Sequence, residues 1–142
     1  MTHLDAETER LLDASPVARL ATIAADGCPQ LVPVVFARSG GALWSPIDAK
    51  PKSGRLLARI RNVERDPRVA LLVDRYDDDW RRLWWLRIDG RASIVHGDAA
   101  AETSLRAKYP QYRGGVALYG GEPLLVRIEP ERVARWSAGA SS

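Results

Sequence analysis

The sequence predicts a mainly β fold, an antiparallel barrel with helices inserted between hairpins, and three observations carry that expectation. About six short segments are rich in Val, Ile and Leu, as strands are. Tight turns marked by Asp26-Gly27 and Ser39-Gly40-Gly41 join the early ones. Only two or three segments show helical spacing, whereas a parallel layered sheet needs a crossover helix after nearly every strand.

Residues 4–14 read as a short helix. Asp5, Glu7 and Glu9 suit its positive N-terminal end, Leu4, Leu11 and Leu12 give it an apolar side, and Pro16 stops it. Residues 17–24 form the first strand. Asp26-Gly27 predicts a tight hairpin with positive φ at both central positions. Residues 29–38 form the returning strand, with Pro33 inside the run Leu31-Val32-Pro33-Val34-Val35-Phe36. A proline there cannot donate to the ladder, so it signals an edge, a bulge or a place where something other than a strand lies alongside. Residues 42–45 give the third strand.

Pro51 and Gly54 make residues 50–54 a loop. The helix that follows, capped by Ser53, carries Leu56, Leu57, Ile60 and Val63 on one face and ends near Asp66-Pro67. Residues 68–74 are the fourth strand, and 75–82 a solvated loop containing Asp77-Asp78-Asp79. Residues 83–95 form a long strand with a bend or bulge at Asp89-Gly90, and its adjacent Trp84 and Trp85 face opposite ways. Residues 98–109 are a further amphipathic helix, capped by Asp98 and ended by Pro110. Two Gly-Gly pairs bracket an irregular piece, residues 124–128 are the last strand, and 130–133 turn. Residues 1–136 thus form one domain and 137–142 a flexible C-terminal tail.

The charge is organised around one stretch. The 142-residue chain has a net charge of +3, and between residues 50 and 61 it carries Lys50, Lys52, Arg55, Arg59 and Arg61 with no carboxylate. A helix face built for solubility mixes signs to gain i, i+4 pairs. Here the cations straddle a helix start, whose free N–H groups favour anions, and Arg55, Arg59 and Asn62 are spaced along one polar stripe. The pattern predicts a surface for an elongated anion. A nucleic-acid binder spreads its cations more widely and interleaves aromatics, so nucleic acid is not expected as a partner.

Other chemistry is missing. Cys28 is the sole cysteine, which rules out an internal disulfide and fits a reducing, cytoplasmic compartment. No apolar run approaches the ~20 residues of a membrane helix, and no signal-peptide core precedes the first helix. His3 and His96 lack metal-ligand partners at useful spacing, no Ser–His–Asp set is evident, and the Gly-Gly pairs do not build a dinucleotide loop. Chemistry, if the protein is an enzyme, falls to a cofactor.

Two sets of residues carry a resemblance. The hairpin Asp26-Gly27-Cys28-Pro29, the strand with Pro33-Val34, the cationic loop and the helix running into Arg61-Asn62-Val63-Glu64-Arg65-Asp66-Pro67 resemble the pyridoxamine-phosphate-oxidase-related split β-barrel superfamily. Pro46-Ile47-Asp48-Ala49-Lys50-Pro51-Lys52, Asp74-Arg75-Tyr76-Asp77 with Trp80, and Leu83-Trp84-Trp85 resemble its actinobacterial subgroup of deazaflavin (coenzyme F420)-dependent enzymes.

The resemblance implies an FMN-binding-like split barrel and a homodimer with a cofactor groove between subunits. It implies an F420-dependent oxidoreductase that passes hydride to a small conjugated acceptor such as an enone, imine or quinone. Lys50, Lys52 and Arg55 would meet the phosphate, with Arg59 and Arg61 reaching further acidic groups. The ring would lie against the backbone of Val32, Pro33, Val34 and Val35, and Trp80 or Trp85, or else Trp136, would close the pocket. Tyr76 or an arginine is the candidate proton donor. FMN as the cofactor, or a non-enzymatic carrier of flavin, F420 or haem, are the alternatives.

Overall fold

The computed structural model describes residues 2–47 and 54–139, the side chains of residues 54–57 excepted. Among these residues seven antiparallel strands form one sheet. In chain order they are β1 (Ala18–Ile23), β2 (Pro29–Val34), β3 (Ala37–Ser39), β4 (Ala42–Pro46), β5 (Arg68–Arg75), β6 (Trp84–His96) and β7 (Leu124–Ser137). Three α-helices are inserted: α1 (Ala6–Ala14), α2 (Gly54–Arg65) and α3 (Ala99–Lys108). None of them is long and apolar enough to cross a membrane.

The spatial order is β2-β1-β5-β6-β7-β4-β3, which puts β2 and β3 at opposite edges although only Val35 and Phe36 separate them in the chain. In a flat sheet six spacings of about 4.8 Å would hold those edges about 29 Å apart. Three residue steps reach only about 11 Å. The sheet therefore curls until its edges meet at Val35-Phe36, yet no ladder joins β2 to β3, so the barrel stays split along that seam. This corrects the expectation of one strand over residues 29–38 and raises the strand number from six to seven. Pro33 lies on edge strand β2 opposite Arg19 of β1, as a proline that cannot donate requires.

Alternation sorts the residues. Leu20 of β1, Leu71 and Val73 of β5, Leu86 and Ile88 of β6, and Val126 and Ile128 of β7 point into the barrel, where they pack with Phe36, Leu43 and Ile47. Leu11 and Leu12 of α1 and Val63 of α2 cover the same core. A second cluster lies under α3, where Ala101, Leu105 and Tyr109 meet Trp44, Leu118 and Leu125. Strand β4 is buried on both faces because it separates the two clusters, Leu43 facing one and Trp44 the other.

Local chemistry sets the ends. The Asp5 side chain accepts the Thr8 N–H at the start of α1, and Asp98 accepts that of Ala101 at the start of α3. The predicted cap Ser53 lies outside the described residues. In the β1–β2 hairpin only Gly27 has positive φ, at 85°, which corrects the expectation for Asp26. The loop runs from Ala24 to Cys28, and the Asp26 carboxylate accepts the Cys28 N–H instead. The expected turn at 130–133 is a bulge inside β7. Asp89 pairs with Arg132 and Gly90 with Pro130, so Glu131 is left over and the strand continues to Ser137.

Lys108 closes α3 over the first core. Its Nζ lies 3.6 Å from the Phe36 ring centroid and donates to Leu12 O at 3.1 Å. Burial pulls its pKa down to about 8 from 10.5, with Asp13 opposing and Arg38 adding to the effect. Between those two values the unfolded chain keeps the proton that the folded protein has released, so Lys108 makes stability rise with pH there. Lys108→Met is therefore expected to stabilise the fold at pH 7 by about 1 kcal/mol, after discounting for the part-exposed amine. That advantage should vanish above pH 10.5. Leu12 O keeps the Ser15 N–H, so no acceptor is orphaned. Urea midpoints of both proteins at pH 7, 9 and 10.5 check this; equal midpoints at pH 7 would contradict it.

Candidate functional site

The cationic segment sits between β4 and α2. The chain leaves β4 through Ile47, which is fully buried and donates its N–H to Leu124 O at 2.9 Å. It is described again from Gly54, where α2 begins. Lys50 and Lys52 lie outside the described residues. Arg55 is in the first turn of α2, its side chain outside the description.

Ile60 and Val63 turn α2 toward the barrel core, and this orients its cations. Arg59 is half-buried and has no hydrogen bond or ion pair among the described residues. Burial lowers its pKa below the ordinary arginine value, although a guanidinium stays charged. Arg61 is exposed and lies two residues on, about 200° around the helix. The structure therefore does not bring Arg59 and Arg61 to one face. Arg55 and Arg59, one turn apart, do share one.

Asn62 departs from the predicted stripe. It is 4% exposed, and its Nδ2 donates to Thr22 Oγ1 at 3.1 Å and to Gln30 Oε1 at 2.6 Å. Its Oδ1 accepts from Arg65 Nη2 at 2.8 Å. Asn62 thus ties α2 to the β1–β2 hairpin and faces no anion.

Among the described residues, Arg59 and Arg61 share the lack of a carboxylate partner with Arg19, Arg82, Arg91 and Arg132, all of them outside the cationic run. Arg10, Arg38, Arg68, Arg75, Arg81, Arg87, Arg106 and Arg135 each lie within ion-pair distance of a carboxylate.

The β2 side of the site is apolar. Val32 and Val34 point into the barrel core, Val35 packs against the cluster under α3, and Pro33 is exposed. Only backbone and Pro33 are left to face a ligand at this edge. Leu31, Ala21, Ala70, Leu72 and Trp85 share the opposite, outer face of the sheet and line a shallow apolar depression of about 570 Å3. Trp84 packs on the core side, so the adjacent tryptophans do face opposite ways.

Trp80 stands in a short 3-10 turn and is 69% exposed; Tyr76, past the end of β5, is 71% exposed. The tandem aspartates form local contacts. Asp77 accepts from Arg75 and from the Asp79 N–H, and Asp79 from Arg81. Among the described residues no cluster of His, Cys, Asp or Glu is arranged to hold a metal.

Sequence reasoning missed a cavity. A space of about 720 Å3 opens between the end of α1, the end of β5 and the tail of β7. Trp84 and Trp136 line it together with Arg10, Arg75, Arg135 and Asp74. Asp74 borders both this space and the apolar depression. The three arginines come from distant parts of the chain, and their only sequence signal was Arg135 beside Trp136. Trp136 is 45% exposed and pairs in register with Trp85.

A family model described as pyridoxamine 5'-phosphate oxidase matches residues 4–137. Among solved structures, the conserved hypothetical protein Rv2991 from Mycobacterium tuberculosis superposes with a TM-score of 0.73 at 26% identity, over 97% of this chain and 87% of that one. A FAD-binding protein from Mesorhizobium loti gives 0.64 at 27% identity, over 93% and 94%. An F420 reductase gives 0.65 at 24% identity, over 92% and 98%, a likeness of fold. No curated protein matches the sequence.

Proposed function

Because the chain belongs to the pyridoxamine 5'-phosphate oxidase family, we propose that it is an oxidoreductase whose cofactor is F420 and whose substrate is a small conjugated acceptor. The observation that carries the reading is the run of five cations without a carboxylate from Lys50 to Arg61, with Arg59 unpaired among the described residues. F420 bears a phosphate and a polyglutamate tail, and such an anion needs cations along its length where FMN needs them at one point.

The residues fit that group. Lys50, Lys52 and Arg55 hold the phosphate, and Arg59, on the face of Arg55, neutralises the first carboxylates of the tail. Arg61 lies off this line and contributes at most long-range attraction. The β2 edge offers its backbone and the exposed Pro33 as a surface for the ring. The chemistry the coenzyme supplies when bound is hydride transfer to an enone, imine or quinone. The protein fixes distance and face and excludes water. Tyr76 or an arginine supplies a proton where the acceptor needs one.

A second copy of the chain covers the outer apolar face with Leu31, Leu72 and Trp85, since a monomer rarely leaves such a face bare. Trp80, Trp85 or Trp136 of that copy closes the pocket over the ring. Flavin is the second reading, favoured by the likeness to a FAD-binding protein at 27% identity.

Parallel titrations with F420 and FMN, read by quenching of coenzyme fluorescence on protein first shown by sedimentation to be a dimer, test the proposal. F420 is expected to bind at least tenfold more tightly than FMN. Lys50→Ala with Lys52→Ala should weaken it about a hundredfold, and Arg59→Gln should weaken F420 more than FMN. Undiminished F420 binding by the double variant, or a preference for FMN, would refute the assignment. Turnover of a quinone acceptor with reduced F420 separates an enzyme from a carrier.

A further inference from the structure

The seam of the barrel is held by side chains where no ladder can hold it. Strand pairing stops at Val34 on one side and begins at Ala37 on the other, leaving Val35 and Phe36 without strand partners. Buried backbone groups still need partners. The Phe36 N–H donates to the Tyr109 hydroxyl at 3.0 Å. That hydroxyl has Phe36 O at 3.0 Å and Pro16 O at 2.9 Å as acceptors for its own proton. Ser45 Oγ donates to Val35 O at 2.7 Å. Tyr109 and Ser45 are 7% and 1% exposed, so water does not compete for these bonds.

Tyr109 follows the last turn of α3, seventy-three residues from Phe36, and Leu105 and Tyr112 pack around it. Its hydroxyl therefore joins three things: the seam, the link from α1 into β1 at Pro16, and α3. Tyr109 acts on Phe36 and Ser45 on Val35, at the end of the Val32–Val35 backbone assigned to the cofactor ring.

We propose that Tyr109 and Ser45 form a latch that sets the path of the backbone across the split in the barrel, and that they are positioning residues for the ring of the cofactor. The second half rests on the functional reading above. The latch exists whether or not a cofactor binds. Its consequence is that the two edges keep one spacing, so the ring meets a preformed surface.

Tyr109→Phe removes the bond its hydroxyl accepts and the one it donates, Ser45→Ala removes one bond, and both leave the packing volume nearly unchanged. Asp98→Ala, which strips the cap of α3 without touching the seam, controls for loss of stability alone. Amide hydrogen exchange at Phe36 is measured first, without cofactor. It should speed up at least tenfold in Tyr109→Phe relative to wild type and to Asp98→Ala. F420 and FMN are then titrated, and the induced circular dichroism of the bound coenzyme is recorded.

Both latch variants are expected to bind the preferred coenzyme at least fivefold more weakly and with an altered dichroic band, while Asp98→Ala stays within twofold and keeps the wild-type band. Unchanged exchange at Phe36 overturns the latch. Faster exchange with unchanged affinity and dichroism overturns the positioning role. Equal weakening by Asp98→Ala does so as well. A wild-type protein that binds neither coenzyme refutes the functional reading and the positioning role with it, while exchange at Phe36 still decides the latch.

Discussion

Gly90→Ala is expected to destabilise the fold by about 3 kcal/mol or more, a large share of a small domain's whole stability, which is on the order of 5–15 kcal/mol. A Cβ at this position would lie 2.3 Å from the backbone oxygen of Glu129 and 3.3 Å from Ile128 Cγ2. The first contact is with main chain in a paired strand, so β7 itself would have to shift. Gly90 has no positive φ, so the objection is purely steric. The close approach arises at the bulge, where Glu131 is extra on β7 and the two strands draw together around Gly90 and Pro130. The urea midpoint of Gly90→Ala, with exposed Arg91→Ala as a control near zero, measures it. A loss below about 1 kcal/mol would mean that the bulge relaxes freely.

Asn62→Ala is expected to cost about 2–3 kcal/mol, the second largest effect. The amide fills both donor positions, to Thr22 Oγ1 and Gln30 Oε1, and its oxygen accepts from Arg65. Truncation strands the Thr22 hydroxyl, which is 4% exposed, and loosens α2 from the β1–β2 hairpin. Thr22→Val should then cost about 1 kcal/mol less in the Asn62→Ala background than alone, because the hydroxyl it removes has already lost its partner. Arg61→Ala, exposed on the same helix, should change stability by less than about 0.5 kcal/mol. Additive losses for Thr22 and Asn62 would show that the bond between them carries no net energy.

These two residues mark how far the sequence could be read. Asp89-Gly90 was legible as a bulge because glycine inside a long strand has few other meanings. Pro33 was legible as an edge, a bulge or a place without a strand neighbour, since a missing donor breaks a ladder, and the structure decided for the edge. Asn62 was misread. Its spacing from Arg55 and Arg59 suits a polar stripe, and periodicity cannot tell a polar residue facing solvent from one facing a buried hydroxyl on another element. The break at Val35-Phe36 was missed because the run Leu31 to Phe36 is apolar throughout, and nothing local says that two β-formers cross between sheet edges. The cavity lined by Arg10, Arg75 and Arg135 was out of reach because its residues come from three separated segments.

The order of the helices and of most strands, the hairpin at Gly27, the interrupted ladder at Pro33, the cap at Asp98 and the run of cations from Lys50 to Arg61 without a carboxylate follow from the sequence alone. Each depends on a residue and its near neighbours: a fixed φ, a missing N–H, a side chain that reaches its own helix start, or charges with no local partner. Only the tertiary structure decided that the sheet's edges meet, that Tyr109 and Ser45 hold the seam, that Asn62 points inward and that Arg59 and Arg61 part company. Those outcomes depend on which distant surfaces bury one another, and the curl of a seven-stranded sheet settles that only when all its strands are in place.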